Sequence, residues 1–189
     1  MDAEEQLDRQ PAFFAETVIP ERPAIELLQN QHLTFQENQR GITYDTLFGA
    51  YLRCARRIVV TDPYIRLFYQ ARNLMEFLET VAKHKADDDE VSIHLITIED
   101  EFNDVQQKEY FEQMQIACTA IGIHFAWEFD VTNTIHARHI ITDTGWKITI
   151  DRGLDIFQRY DMNDTFAFAN RLQQYRACKA FEVTILKLK

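Results

Sequence analysis

Residues 134–143 read TIHARHIITD and hold a histidine and an arginine whose spacing suits phosphate chemistry. His136 and Arg138 are two positions apart, so on a β-strand their side chains lie on the same face. A neutral imidazole can attack phosphorus or transfer a proton, and a guanidinium can bind a phosphate through two parallel hydrogen bonds. Asp143 follows in a DTG sequence that is also typical of a turn. The candidate catalytic set is His136, Arg138 and Asp143, although a lone histidine is more often structural.

A second polar group follows the first strand of a predicted parallel sheet. The sequence TDPYIR places Asp62, Tyr64 and Arg66 directly after that strand. Ligands of parallel α/β sheets bind beyond the carboxyl ends of the strands, so we expect this group to face the same site as His136. The alternative is an ordinary turn in which Asp62 caps the next helix and Arg66 is a surface residue.

Basic side chains supply the predicted phosphate contacts, and acidic neighbours partly cancel their charge. The predicted phosphate-binding residues are Arg66, Arg138, Lys147 and Arg152, and the supporting residues are Asp62, Tyr64 and Asp151. Gly153, in the sequence DRGLD, is predicted to occupy a sharp turn with a positive φ.

The overall composition limits the possible partners. The chain has 189 residues, of which 46% are hydrophobic, and this suits one domain with an ample core. Its formal net charge of −10 disfavours attraction of the whole surface to DNA or anionic lipid. Any phosphate binding must therefore come from a local basic cluster.

Cysteine and histidine usage argues against a metal or disulfide framework. Cys54, Cys118 and Cys178 lie far apart and form no CxxC pair, so we expect buried free thiols. The histidines show no metal-ligand spacing. We expect no metal, no cofactor and a reducing, cytoplasmic location. No run approaches about 20 consecutive apolar residues, so we expect no transmembrane helix.

Apolar spacing predicts the elements that position these residues. Helical spacing marks TYDTLFGAYLRCARR, with Thr43 as its N-cap, then IRLFYQARNLMEFLETVAKHK and DVQQKEYFEQMQIACTAIG. Short strand-like runs occur in RIVVTDPY, VSIHLITI and IHFAWEFD. Because helices and strands alternate, we expect right-handed crossovers and a parallel sheet in this part.

The pattern changes after residue 130. A turn at Thr144 and Gly145 separates ARHIITD from WKITID, which predicts an antiparallel hairpin. An irregular segment that becomes helical, LDIFQRYDMNDTFAFANRLQQYRAC, precedes a final strand in KAFEVTILKLK, and HLTF is a candidate edge strand. Residues 1–23 are acidic and broken by prolines, which indicates a tail or linker before a single domain at 24–189. The predicted class is α/β, with helices flanking a mixed sheet.

Two long stretches resemble the phospholipase D-like domain found at the C-terminus of MIT-domain proteins, a divergent branch of the phospholipase D superfamily. They are GITYDTLFGAYLRCARRIVVTDPYIRLFYQARNLMEFLE and TIHARHI with GWKITIDRGLDIF, within about residues 41–160. The spacing His136-x-Arg138-x(4)-Asp143 is similar to the superfamily signature His-x-Lys-x(4)-Asp. The resemblance implies a phospholipase D-like sandwich fold and a homodimer.

In the wider superfamily, two copies of the motif form one active site, in which one histidine accepts the phosphoryl group and the other is the general acid. This chain holds one copy, so the resemblance implies that a complete site would need His136 from two subunits. Arg138 stands at the position of the motif lysine, and DRGLD, with Asp151 and Arg152, stands where active enzymes carry Gly-Ser-x-Asn. The MIT-associated family is regarded as non-enzymatic and as contacting anionic membranes and partners.

Three functions stay open at this point. The leading hypothesis is a degenerate, dimerising module that binds a phosphate-bearing ligand, either an anionic lipid headgroup or a nucleic-acid backbone, or a protein partner. An active phosphodiesterase or nuclease that uses His136 from two subunits is the second, and a purely structural dimerisation domain is the third. The domain is expected to belong to a larger parent protein, and a peripheral position at membranes is left open.

Overall fold

Seven strands build the sheet of this chain, whose computed structural model describes residues 28–132 and 135–189. The strands are β1 (Gln31–Phe35), β2 (Arg57–Thr61), β3 (Val91–Thr97), β4 (Ile123–Phe129), β5 (His139–Thr142), β6 (Trp146–Ile150) and β7 (Phe181–Lys187). Their order across the sheet is β1-β7-β6-β5-β2-β3-β4. Strands β2, β3 and β4 pair in parallel, and the other described pairs are antiparallel. The predicted mixed sheet, including the β5–β6 hairpin and edge strand β1, is confirmed.

The three predicted long helices form, and the second and third of them connect the parallel strands. The helices are α1 (Tyr44–Leu52), α2 (Phe68–His84), α3 (Asp104–Thr119) and the single-turn α4 (Phe168–Arg171), which a 3-10 turn at Gln173–Tyr175 follows. Thr43 caps α1, because its side-chain oxygen accepts a hydrogen bond from the Thr46 backbone N–H at 3.0 Å. Helix α1 ends earlier than predicted, since Cys54 adopts a φ of +66°. Cys54 is exposed, so the prediction of a buried thiol was wrong there, whereas Cys118 and Cys178 are buried.

The core lies on one face of the sheet. Along β2 the side chains of Ile58 and Val60 are buried, and along β3 those of Ile93 and Leu95 are, while the residues between them are half-buried or exposed. Alternate residues of a strand point to opposite faces. Helix α2 meets the buried face through apolar residues at helical spacing, which are Ala71, Leu74, Phe77, Leu78 and Val81. This places the start of α2 beside the carboxyl end of β2.

The segment after Gly153 is less helical than its sequence suggests. The predicted irregular part is confirmed, and of the predicted helical part only α4 and the short 3-10 turn form. The Asp164 carboxylate accepts hydrogen bonds from the backbone N–H groups of Phe166 and Ala167, and the Asn170 amide donates to two backbone carbonyls. Such short polar side chains compete with helical hydrogen bonding.

The predicted tail, residues 1–23, lies outside the described residues. Within the part of the chain that the structure describes, no helix combines the length and the apolar character needed to cross a bilayer.

Candidate functional site

A pocket of about 230 Å³ opens at the carboxyl end of β2, beside the start of α2. This is the edge where parallel α/β sheets bind ligands. The residues that line it are Asp62, Tyr64, Ile65, Gln70, Asn73, Arg138, Arg152, Leu154 and Asp155. Three segments that are distant in sequence therefore meet here: the β2–α2 connection, the entry to β5 and the turn after β6.

Asp62 lies at the base of this pocket and is 4% exposed. Its carboxylate accepts hydrogen bonds from the backbone N–H groups of Tyr64, at 3.1 Å, and Leu154, at 3.2 Å. Burial raises the pKa of Asp62, and the two N–H donors and the charge of Arg138 partly offset that rise. Asp62 does not cap α2, which begins six residues later at Phe68. Its carboxylate instead ties the β2–α2 connection to the turn after β6.

Arg138 is held on two sides. Its guanidinium carbon lies 4.3 Å from the centre of the Tyr64 ring, and its Nη1 donates to the backbone carbonyl of Asp151. The Arg138 Nε is buried and has no hydrogen-bond partner among the described residues. A stacked guanidinium in this position is fixed in orientation and retains N–H groups for a bidentate anion.

Arg152 and Asp155 complete the rim of the pocket. The Arg152 Nε donates to the backbone carbonyl of Ala180 at 2.7 Å, which anchors this exposed side chain. The Asp155 carboxylate pairs with the Lys179 ammonium at 2.8 Å. That ion pair partly neutralises Asp155, so its charge opposes an incoming anion less strongly.

The model of the family described as "Phospholipase D-like domain at C-terminus of MIT" matches residues 41–187. The chain belongs to this family. MIT domain-containing protein 1 of mouse is 31% identical over 132 residues, which cover 69% of this chain and 51% of the mouse protein. The chain thus spans about half the length of this curated relative. Among solved structures, the phosphatidylserine synthase of Haemophilus influenzae Rd KW20 is similar with a TM-score of 0.46 and 10% identity, over 84% of this chain and 34% of that one.

Several predicted site residues of this phospholipase D-like domain lie outside the pocket. His136 is exposed in the connection before β5 and does not contribute to the pocket lining. Asp143 lies at the opposite end of β5, where its carboxylate accepts the Arg56 backbone N–H at 3.0 Å. At the usual rise of a strand, Asp143 is about 16 Å from Arg138. The motif residues therefore do not converge on one point of this chain.

The remaining predicted residues have three different locations. Arg66 does not line the pocket. Its guanidinium carbon lies 6.0 Å from the centre of the Tyr64 ring. Lys147 is half-buried on the face of β6 opposite to the core, since its neighbours Trp146 and Ile148 are buried. Asp151 takes part through its backbone carbonyl, while its carboxylate accepts the Glu182 backbone N–H at 3.0 Å.

Sequence reasoning did not identify the contribution of α2 to the pocket. Gln70 and Asn73 line the pocket from the first turns of α2, and Asp155 lines it from the turn after β6. Asn73 carried one usable signal, because it is a polar residue beside Ala71 and Leu74 in an otherwise apolar helical stripe. Within the described ranges, no group of three or more acidic, histidine or cysteine side chains is arranged to hold a metal ion.

Proposed function

We propose that this domain is a non-catalytic phospholipase D-like module that binds a phosphate-bearing ligand through Arg138 and Arg152. The observation that carries the proposal is the buried Nε of Arg138, which has no acceptor among the described residues. A buried donor without an acceptor costs about 1–3 kcal/mol. A phosphate oxygen is the acceptor that the geometry of a guanidinium fits best.

The position of His136 supports binding rather than catalysis. A nucleophilic imidazole must come within about 3 Å of the phosphorus-bearing group, but His136 is exposed and outside the pocket lining. Arg138 replaces the lysine of the superfamily signature, and a guanidinium stays protonated at any physiological pH. The pocket therefore offers charge and hydrogen bonds, and no histidine is among its lining residues.

The net charge of −10 opposes attraction of an anion to the whole surface, so phosphate binding depends on the basic residues of the pocket. Because few cations contact the anion, we expect affinity to fall with salt much less steeply than for a nucleic-acid-binding surface. A lipid headgroup and a nucleic-acid phosphate both offer the tetrahedral anion that this pocket fits. Dimerisation, which the family resemblance implies, stays a prediction, and sedimentation equilibrium of the purified chain tests it.

The test is a titration of the ¹⁵N-labelled chain with inorganic phosphate, followed by the arginine Nε–Hε resonances. We expect the Arg138 resonance to shift and saturate in the native chain, and the binding to be lost in Arg138→Ala. Arg53→Ala is the matched control, because it removes the same charge from an exposed side chain outside the pocket. Equal binding by the native chain and Arg138→Ala would overturn the proposal.

The enzymatic alternative is tested with bis-p-nitrophenyl phosphate. We expect no turnover above that of the buffer. Hydrolysis that disappears in His136→Ala would show that His136 takes part in turnover, and it would sink the non-catalytic proposal.

A further inference from the structure

A second cavity of about 390 Å³ lies beside the arginine-lined pocket along α2. Asn73 and Asp155 line both cavities, so the two are adjacent. Three aromatic side chains, Tyr69, Phe157 and Tyr160, contribute to the wall of the second cavity. A site that combines an anion pocket with an aromatic cavity is suited to a ligand with two chemically different parts.

Asn73 is a polar group between the two cavities. It is 5% exposed and lines both of them. A side-chain amide carries two N–H donors and an acceptor oxygen, so an amide on a cavity wall can bind a ligand through paired hydrogen bonds. Burial and a place in both linings together distinguish Asn73 from a surface asparagine.

The two cavities together carry a net positive charge in an acidic chain. Their ionisable basic and acidic residues are Arg138, Arg152, Arg159 and Lys179 against Asp62 and Asp155. Four cations against two carboxylates give a local charge of +2, whereas the whole chain carries −10. Charge thus favours an anionic ligand that extends over both cavities.

The aromatic wall is fixed by its cationic neighbours. The Arg176 guanidinium carbon lies 4.3 Å from the centre of the Tyr160 ring and 5.4 Å from that of Phe157. The Arg159 guanidinium carbon lies 5.7 Å from the Tyr69 ring centre. Burial raises the pKa of the Tyr160 phenol, and the side chain is half-buried. Rings held in this way lose little entropy when a ligand packs against them.

We infer that the two cavities form one site for a phosphate ester whose organic part is a flat heteroaromatic ring, as in a nucleotide. This inference rests on the proposed phosphate binding by Arg138 and Arg152. The phosphate occupies the arginine-lined pocket, and the ring contacts the aromatic wall while its polar edge faces the Asn73 amide. Asparagine amides form paired hydrogen bonds to adenine, and ring stacking on tyrosine contributes to the affinity for any base.

Other organic parts fit the lining less well. An acyl chain would offer no polar group to the Asn73 amide and no opposite charge to the Arg159 guanidinium. A polyhydroxylated ring such as inositol would place hydroxyl groups against Phe157 and Met162. A flat ring with a polar edge can pack its faces against the apolar side chains and direct its edge to the polar ones.

The test compares adenosine 5′-monophosphate with ribose 5-phosphate by calorimetry on the full chain. We expect the nucleotide to bind about tenfold more tightly, since one stacked base is worth about 1–3 kcal/mol. Tyr69→Ala should remove that tenfold difference and leave the affinity for ribose 5-phosphate unchanged. Tyr175→Ala is the control, because this exposed tyrosine lies outside both cavities. Tyr69→Leu, which keeps the apolar volume, replaces Tyr69→Ala if that variant does not fold.

The outcomes separate this inference from the proposed function. Equal affinities for the two compounds, or no effect of either Tyr69 variant, would overturn the nucleotide assignment while phosphate binding stands. If neither compound nor inorganic phosphate binds, the proposed function itself fails. If adenosine binds as tightly as its monophosphate and Arg138→Ala has no effect, the phosphate does not bind in the arginine-lined pocket. The contact of the ring with the aromatic wall would then still stand.

Discussion

Gly153 lies so close to Asp62 that a Cβ at position 153 would come within 2.0 Å of the Asp62 Oδ2. The same Cβ would lie 3.1 Å from the Arg138 Cδ. Gly153 has a φ of +61°, a conformation that other residues rarely adopt. The absence of a side chain at this position therefore allows the turn after β6 to approach the buried carboxylate and brings Arg152 and Leu154 to the pocket.

Gly153→Ala should destabilise the fold and weaken phosphate binding. A positive φ costs an alanine about 1 kcal/mol, and overpacking against Asp62 adds about 1–3 kcal/mol. Urea unfolding measures the sum. Gly41→Ala is the matched control, because Gly41 has a φ of +83° and its Cβ would meet nothing within 4 Å. If the two variants lose the same free energy of unfolding, the contact with Asp62 has no energetic consequence.

The fold of this chain was predictable because its strands alternate in a clear pattern. In WKITI the residues Trp146, Ile148 and Ile150 are buried, while Lys147 and Thr149 point to the other face. That alternation already placed Lys147 on the face opposite to the core. The core-facing side of the sheet is also the side of Asp62, which follows Val60 by two positions. The phosphate-binding role of Lys147 stays a prediction.

The composition of the pocket was harder to predict. Asn73 and Asp155 reach it only because α2 packs beside β2 and the turn after β6 folds back over it. Such contacts join residues 82 positions apart and depend on tertiary packing, which local spacing does not encode. The short polar side chains that prevent a long helix after Gly153 act through hydrogen bonds that sequence periodicity likewise does not reveal.

Arg138→Lys restores the superfamily signature but should not restore catalysis. Lysine cannot reproduce both the contact with the Tyr64 ring and the donation to the Asp151 carbonyl while presenting a fork to an anion. We expect phosphate affinity to fall by about tenfold, equivalent to one charged hydrogen bond, with no hydrolysis of bis-p-nitrophenyl phosphate. Hydrolysis by this variant would mean that His136 does reach the substrate and that Arg138 alone suppresses turnover.

Lowering the pH should strengthen anion binding through Asp62. Burial raises its pKa above the ordinary value of 3.8, so the folded protein takes up this proton at a higher pH than the unfolded chain. The repulsion between Asp62 and a bound anion therefore disappears as the pH falls through the raised pKa. If the anion raises that pKa further by about one unit, affinity rises about tenfold across the transition.

Sulfate is the suitable probe for this pH dependence, because it keeps its charge over the range studied. Asp62→Asn should bind sulfate at neutral pH as tightly as the native chain binds it at low pH, and should show a flatter profile. Asp155 is a second carboxylate that lines the pocket, so Asp155→Asn is measured in parallel. An unchanged pH profile in Asp62→Asn would assign the effect to another group.

The Glu76–Arg176 pair should hold the aromatic wall in place. The Arg176 Nη1 and Nη2 donate to the two carboxylate oxygens of Glu76 at 2.5 and 2.8 Å, and the two side chains are 1% and 11% exposed. Glu76→Gln leaves the buried guanidinium without its counter-ion, so we expect a loss of about 3–5 kcal/mol in the free energy of unfolding by urea. Asp89→Asn breaks the exposed pair with Arg56 and should cost less than about 1 kcal/mol. Because Arg176 also packs on Tyr160 and Phe157, Glu76→Gln should weaken nucleotide binding more than phosphate binding. Equal losses of stability in the two variants would show that the buried pair does not anchor this segment to α2.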